Sequence, residues 1–244
     1  MTSQQDFFSS LRSNQQTYLP SDAIRQELAK KTLIMVVGPS AIGKSTTMNT
    51  VVAKDDRFQR VSGFTSRVAR PNDEPGMYRY VTEDHYQQLQ ERIADRQLVQ
   101  YAVSPVKDVV YGTEIGDYPG QYNLQDTWSS AVDNYRKLGF GEYKVVGLVA
   151  DPLDWKKWFQ TRFPLDDQAE ALSRLTEAHQ SLSWLLTQHA NSVYWVKNRE
   201  LAHDHAAEAL INVIDLNTSD IGGPNIAAEM IDVIGSLRQK YGAA

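Results

Sequence analysis

The run Gly38-Pro39-Ser40-Ala41-Ile42-Gly43-Lys44-Ser45-Thr46 constrains this chain more than any other, because it completes the pattern G-x-x-x-x-G-K-[ST]. It follows the apolar stretch Thr32-Leu33-Ile34-Met35-Val36-Val37 and precedes a helix-like segment from Ser45 to Ala53. A strand, a glycine-rich turn and a helix in that order make a phosphate-binding loop: glycines let the backbone fold tightly, and consecutive N–H groups and the helix N-terminus point at the anion. Lys44 is placed to reach the β- and γ-phosphates, and Ser45 to offer its hydroxyl to Mg²⁺ as the candidate metal ligand. Gly38, Ser40, Ala41, Ile42, Gly43, Lys44, Ser45 and Thr46 are therefore the candidate residues for holding a nucleoside triphosphate. Ordinary residue usage puts an accidental match in a chain this long at roughly one per cent. The loop alone does not say what the nucleotide is used for.

Composition narrows the alternatives. A length of 244 residues suits one substantial core with insertions, and 41% hydrophobic and 23% charged residues are those of an ordinary globular protein. The net charge of −5 argues against a general nucleic-acid binder while leaving a local basic cleft open. No apolar run approaches membrane-spanning length, and Met1-Thr2-Ser3-Gln4-Gln5-Asp6 lacks the basic start and apolar stretch of a secretory signal. The absence of cysteine excludes disulfides, thiolate metal sites and cysteine nucleophiles, and fits a reducing compartment. A cytoplasmic protein acting on a small nucleotide is expected, with no membrane partner; no residue sets an oligomeric state.

Periodicity sketches the organisation. Residues 1–30 are polar and glutamine-rich, with a helix-like piece from Ser21 to Lys30 that Ser21 or Asp22 could cap. The turn-rich segment Arg70-Pro71-Asn72-Asp73-Glu74-Pro75-Gly76 separates two short β-like pieces. Thr82-Glu83-Asp84 reads as a capped helix start, continued by Tyr86, Leu89 and Ile93 at helical spacing. Lys144 to Ala150 reads as a fully buried strand, followed by helical pieces from Leu153 to Phe159 and Asp167 to Gln188. A strand at Ser192 to Val196, a helix at Glu200 to Leu216 and an amphipathic helix at about Ala227 to Lys240 complete the pattern. Strands alternating with helices predict an α/β fold with a mostly parallel sheet.

A second constellation lies in Thr65-Ser66-Arg67-Val68-Ala69-Arg70, with Tyr78 shortly after and Tyr111-Gly112-Thr113 downstream. Two arginines three apart and a tyrosine can clamp a phosphate with guanidinium forks and a phenol, although a solvated loop would look the same. Taken in order, these pieces resemble the guanylate kinase family, whose phosphate loop precedes an S-x-T-T-R-x-x-R segment, then G-x-x-Y-x-F, then Y-Y-G-[TS]. The resemblance covers roughly residues 31 to 215. It implies a three-layer α/β P-loop fold with a monophosphate-binding insertion at about 62–115 and a small helical lid at about 155–175. Residues 31–216 then form the domain, flanked by extensions at 1–30 and 217–244 that the resemblance leaves unexplained.

The resemblance assigns roles residue by residue. Arg67, Arg70, Tyr78 and Tyr111 match groups on the phosphate of a nucleoside monophosphate, and Thr113 a hydroxyl near its base. Arg162 and Arg174 match arginines of the family's lid and its following helix that stabilise transferring charge, and Asn198 matches an asparagine beside the ATP adenine. The implied reaction transfers the γ-phosphoryl of ATP, with Mg²⁺, to a monophosphate. Lys44, Arg162 and Arg174 are then the catalytic candidates.

The departures are chemical. Ala41 replaces the loop's middle glycine, which a methyl group tolerates at negative φ. Gly63 stands where a serine is expected, with Ser62 one place off. Gln100 replaces a glutamate that reads guanine, and an amide offers one acceptor where a carboxylate offers only acceptors. The family's acidic L-D-I-D strand has its nearest counterpart in Tyr122-Asn123-Leu124-Gln125-Asp126, with amides for acids and Asp126 out of register. Trp158 stands where the first lid arginine is expected. An altered base preference is the expectation. Two alternatives stay open: a kinase of a phosphorylated sugar such as ribose 1,5-bisphosphate, and a non-catalytic guanylate-kinase-like binding module. His203-Asp204-His205 is not a promising metal site, because residues two apart on a helix face different ways, and Trp184 reads as core packing.

Overall fold

β1 (Thr32–Val37) is a run of aliphatic side chains buried from Leu33 onward, and β8 (Glu142–Ala150) is buried from Val145 to its end. Strands this apolar on both faces belong inside a layered α/β sheet. In the computed structural model the described residues are 4–70, 73, 75–104, 108–164, 168–189, 192–200 and 203–242. The turn residues Pro71, Asn72 and Glu74, the helix position Asp167, and residues 201–202 of the helix expected from Glu200 to Leu216 lie outside them.

Two compact units divide the chain. Unit 1 comprises residues 1–32, 59–123 and 133–142, and unit 2 comprises residues 33–58, 124–132 and 143–244. The central five-stranded sheet runs β2 (Phe58–Arg60), β7 (Tyr122–Asp126), β1, β8, β9 (Tyr194–Asn198), and is mostly parallel. β8 and β9 pair in parallel from Val146 opposite Tyr194 to Ala150 opposite Asn198.

The helices of unit 2 follow the sequence pattern closely. α3 (Lys44–Lys54) leaves the glycine turn. α6 (Pro152–Arg162) is capped by Asp151, whose carboxylate accepts from the Leu153 amide, with Pro152 at the first helical position. α7 (Gln168–Thr187) and α9 (Gly223–Gly242) pack together, and α8 (His203–Asp215) lies against α3. The Tyr241 hydroxyl on α9 donates to the Phe163 carbonyl at 2.8 Å, so the C-terminal helix satisfies one of the carbonyls that end α6. Among the described residues no helix is long and apolar enough to cross a membrane.

Unit 1 is built on a second sheet in the order β4 (Tyr78–Tyr80), β3 (Gly63–Thr65), β6 (Val110–Thr113), β5 (Gln100–Val103). Its covered face carries Phe64, Tyr101, Val103 and Val110, which pack with Phe7, Phe8 and Leu11 of α1 (Gln4–Asn14) and Leu89 of α4 (Tyr86–Ala94). Residues 1–30, polar on average, thus supply core: Phe7 stacks on Tyr86 with centroids 4.3 Å apart, and Phe8 meets the same ring edge-on at 5.7 Å. Gln15 Oε1 accepts the Val103 amide at 2.7 Å, covering part of the β5 edge. The unit is completed by α2 (Asp22–Leu28), most of α5 (Val132–Arg136) and the short 3₁₀ turns Glu83–His85 and Ile115–Asp117, whereas the 3₁₀ turn Ser129–Ala131 belongs to unit 2.

Two expected caps are corrected. Ser21 precedes α2 without a side-chain capping bond, and the Thr82 hydroxyl pairs with His85 Nδ1 at 3.0 Å instead of a backbone amide. The segment after Thr82 opens as the 3₁₀ turn Glu83–His85 before α4 begins at Tyr86.

Tyr18 and Tyr101 join α1 and its following segment to the sheet, with the Tyr18 hydroxyl donating to Leu98 O at 2.9 Å. Burial pushes both phenols up to about 12, from an ordinary value of 10.0. A raised folded value stabilises the fold fully below the unfolded pKa and is lost as pH climbs past it. Unit 1 is therefore expected to loosen between about pH 10 and 12, with tyrosinate absorbance and loss of circular dichroism rising together. Ionisation of all tyrosines near pH 10 with no change in dichroism would contradict this packing.

Candidate active site

The two groups of candidate residues fall in different units. Gly38 to Thr46, Arg162, Arg174 and Asn198 belong to unit 2, and Arg67, Arg70, Tyr78, Gln100, Tyr111 and Thr113 to unit 1.

In unit 2 the glycine positions of the loop are required by sterics. A Cβ on Gly38 would sit 2.7 Å from the Leu148 carbonyl oxygen, and Gly43 has φ of 93°, with no room for a Cβ beside the Asn198 amide. Two braces hold the loop from beneath: Asn198 Nδ2 donates to Ile42 O at 2.9 Å, and Trp155 Nε1 donates to Ser40 O at 3.0 Å. In a trans peptide the following N–H points opposite its carbonyl, so the amides of Gly43 and Ala41 face away from these braces. The first-turn amides of α3, on Lys44, Ser45 and Thr46, have no intrahelical partner, and the first such bond comes from Thr47 to Gly43 O. A cradle of N–H groups at a positive helix end fits a phosphate chain. The Ser45 hydroxyl makes no hydrogen bond among the described residues, which suits a cation ligand.

Lys44 Nζ lies folded back on the loop, donating to Gly38 O at 2.8 Å and Pro39 O at 3.2 Å. Asp126 Oδ1 lies 3.8 Å from it. Sequence reasoning set Asp126 aside as out of register, yet it ends β7, the strand next to β1. A carboxylate at the end of a neighbouring parallel strand is the signal that could have found it. The resemblance sets Asn198 beside the adenine, whereas here its amide is 1% exposed and bonded under the loop. Trp155 braces the same loop through its indole N–H.

One expectation about the loop is overturned. Ala41 has φ of +64°, not negative, so its methyl group sits in the left-handed region that favours glycine. That conformation costs an alanine about 1 kcal/mol. Ala41→Gly is expected to raise the urea midpoint by an equivalent of about 1 kcal/mol. A lower midpoint would mean that the loop bears no strain at this residue.

Arg162 ends α6, exposed, with its guanidinium 5.6 Å from the Phe163 ring centroid. Arg174 pairs along its own helix with Glu170 at 2.8 Å and Glu177 at 2.9 Å.

In unit 1 the strand register gathers the acceptor candidates. Tyr78 pairs with Gly63, and Thr113 with Gln100. One step along, Tyr80 pairs with Thr65, and Thr65 with Tyr111. Side chains two apart on a strand share a face, as do directly paired residues, so Tyr78, Tyr80, Tyr111, Thr113 and Gln100 line one face of the sheet. It is the face opposite the Phe64 and Tyr101 packing. Close strand approach requires glycine at position 63, where a Cβ would meet Gly112 O at 2.8 Å, and Ser62 beside it donates to Asp117 at 2.8 Å.

Arg67 lies over the Tyr78 ring at 5.0 Å and grips Asp73 with both terminal nitrogens at 2.6 Å. Arg70 is exposed, its backbone amide donating to Asp73 at 2.7 Å. Gln100 Nε2 donates to the Tyr135 hydroxyl at 3.0 Å, and the Thr113 and Tyr118 hydroxyls pair at 2.9 Å. Tyr135 and Tyr118 are buried phenols held well above their ordinary pKa by desolvation, hence neutral partners. Neither tyrosine nor Asp73 was singled out in the sequence. Among the described residues no group of three or more His, Asp or Glu could hold a metal, and the His203 side chain lies outside them.

Comparison with known proteins places these features. No family model matches the chain. In sequence it is similar to a guanylate kinase of Cupriavidus metallidurans, at 28% identity over 113 residues, 41% of this chain and 52% of that protein. The chain thus spans about half the length of this curated relative. Among solved structures, a guanylate kinase from Anaplasma phagocytophilum aligns with a TM-score of 0.49 at 11% identity, covering 79% of this chain and 88% of that one. A sulfotransferase from Alicyclobacillus acidocaldarius aligns with a TM-score of 0.41 at 12% identity, covering 84% and 95%. At these scores neither structural alignment bears on activity.

Proposed function

We propose that the chain is an ATP-dependent kinase of a nucleoside or deoxynucleoside monophosphate, with a base preference shifted away from guanine. The observation that carries this reading is the single sheet face that gathers Tyr78, Tyr111, Thr113 and Gln100, in a chain that also has an intact phosphate loop. The sequence similarity to a guanylate kinase supports the same class of activity.

Phosphoryl transfer depends on positioning and electrostatics, because charge spreads over oxygens in an in-line transition state. Mg-ATP supplies the transferable phosphoryl group. The amides of Ala41, Gly43, Lys44 and Ser45 would hold its phosphates, Ser45 Oγ its cation, and Lys44 Nζ its β- and γ-oxygens. Arg67, Arg70, Tyr78 and Tyr111 would hold the acceptor's phosphate and offset its repulsion with the donor. Arg162 and Arg174 would add positive charge and exclude water. No general base is needed, since a monophosphate is already anionic near neutral pH.

Base preference rests on Gln100. With Nε2 given to Tyr135, the amide presents one acceptor oxygen, whereas guanine offers N1–H and N2–H₂ together. The unmatched donor disfavours guanine by about 1–3 kcal/mol, roughly tenfold to a hundredfold. Gln100→Glu is expected to raise kcat/KM for GMP by about tenfold or more. The test is ADP release from Mg-ATP against GMP, dGMP, AMP, dAMP, CMP, UMP, dTMP, IMP and ribose 1,5-bisphosphate. Strong turnover of GMP by the unmodified chain would refute the shifted preference, and silence on every acceptor would refute the kinase.

A further inference from the structure

The turn after Arg70 returns a carboxylate into the arginine fork. Asp73 accepts from both terminal nitrogens of Arg67 at 2.6 Å, from the Tyr80 hydroxyl at 2.6 Å and from the Arg70 amide at 2.7 Å. Four donors converging on two oxygens, one pair in the planar bidentate form, make a socket that suits a carboxylate or a phosphate equally. The side chains of Arg67 and Asp73 are 10% and 16% exposed, so neither is a solvated surface group.

We propose that Asp73 is an internal occupant of the acceptor's phosphate seat, a carboxylate that the monophosphate displaces, and that it lowers the seat's affinity for every entering anion by the same factor. The inference rests on the reading of Arg67 as a phosphate-binding group. The fork holds the Asp73 carboxyl far below the usual carboxylate range, so the occupant of the seat is ionised.

Its surroundings permit that exchange. The neighbouring ion pair, Arg79 with Asp117, differs in kind: Asp117 is 3% exposed and also held by Ser62 and the Glu114 amide, as a locked structural group. Asp73 instead is held, among the described residues, only by the fork, Tyr80 and the Arg70 amide, and its side chain is 16% exposed. An orthophosphate ion entering this seat must displace the carboxylate by its own contacts alone. A nucleoside monophosphate adds contacts from its base to Gln100 and Thr113 on the same sheet face, and so displaces Asp73 more readily. Freeing the seat costs both the same, so a small anion with few contacts leaves it to Asp73 while a monophosphate, with its added contacts, fills it.

The experiment uses inorganic phosphate as the probe, titrated into the full chain and followed by ³¹P NMR or calorimetry. Asp73→Asn is expected to bind phosphate about tenfold more tightly than the unmodified chain. Adding Arg67→Ala to Asp73→Asn should abolish the gain. For whichever monophosphate is accepted, Asp73→Asn should lower KM by a similar factor, read separately from kcat. Phosphate binding that is unchanged, weaker or absent in Asp73→Asn overturns the proposal, as does a raised KM, since Asp73 would then only support Arg67. The phosphate titration needs no turnover, so an inactive chain would refute the kinase while leaving this inference to stand or fall by itself.

Discussion

Lys44→Ala is expected to lower ATP-dependent turnover by on the order of 10²–10³-fold, the loss typical when one positioned donor to developing charge is removed. The melting temperature should move by no more than roughly 2–4 °C, the shift equivalent to about 1 kcal/mol in a chain this size. The two effects separate because Lys44 Nζ bonds only loop carbonyls at 2.8 and 3.2 Å and faces Asp126 at 3.8 Å, while the loop keeps its braces from Asn198 and Trp155. Water can replace the lysine on those carbonyls, so little stability is at stake. Steady-state kinetics with the best acceptor, alongside a thermal melt, decides it. Turnover within threefold of the unmodified chain would remove Lys44 from the chemistry.

Phe8→Ala should destabilise unit 1 by about 3–5 kcal/mol, a large share of the 5–15 kcal/mol typical of a whole domain. Phe8 is 0% exposed and meets Phe7 and Tyr86 edge-on at 4.9 and 5.7 Å. Its removal leaves a cavity under the sheet whose other face carries Tyr78, Thr113 and Gln100. Hydrogen exchange should speed first at the amides of β5 and α4, while those of β1 and β8 keep their protection. Affinity for a monophosphate should fall with the loss of order in that sheet, although Phe8 touches none of the acceptor candidates. A loss below about 1 kcal/mol would mean that α1 merely rests on the surface.

These residues show what could be read from the sequence and what could not. The loop was legible because its chemistry demands particular letters at fixed spacing, and β1 and β8 because fully buried parallel strands are continuous apolar runs. The acceptor face was legible as residue types, but its common orientation needed the register of β4, β3, β6 and β5, which no local pattern states. Phe7 and Phe8 were hidden by averaging: a glutamine- and serine-rich segment reads as a tail, and only partners far along the chain, from Phe64 onward, make two phenylalanines a core. The sign of φ at Ala41 followed from closing the loop around its braces. Asp73 lay in plain view, an acid three residues after Arg70, yet pairing back to Arg67 required the turn. Tyr135 carries no motif and matters only through the Gln100 amide it engages.

The distance along the chain between α1 and its partners has a consequence during synthesis. The bonds from Tyr101 to Leu11 and from Tyr18 to Leu98 close over 90 and 80 residues. At ribosomal speeds of about 5–20 residues per second, the Phe7–Phe8 pair waits roughly 5–20 s after emerging before β5 and α4 exist to cover it. During that interval it is an uncovered aromatic handle on a nascent chain, open to chaperones and to neighbouring polysomes. Soluble yield should therefore respond to translation rate through the stretch between α1 and β5, including the phosphate loop.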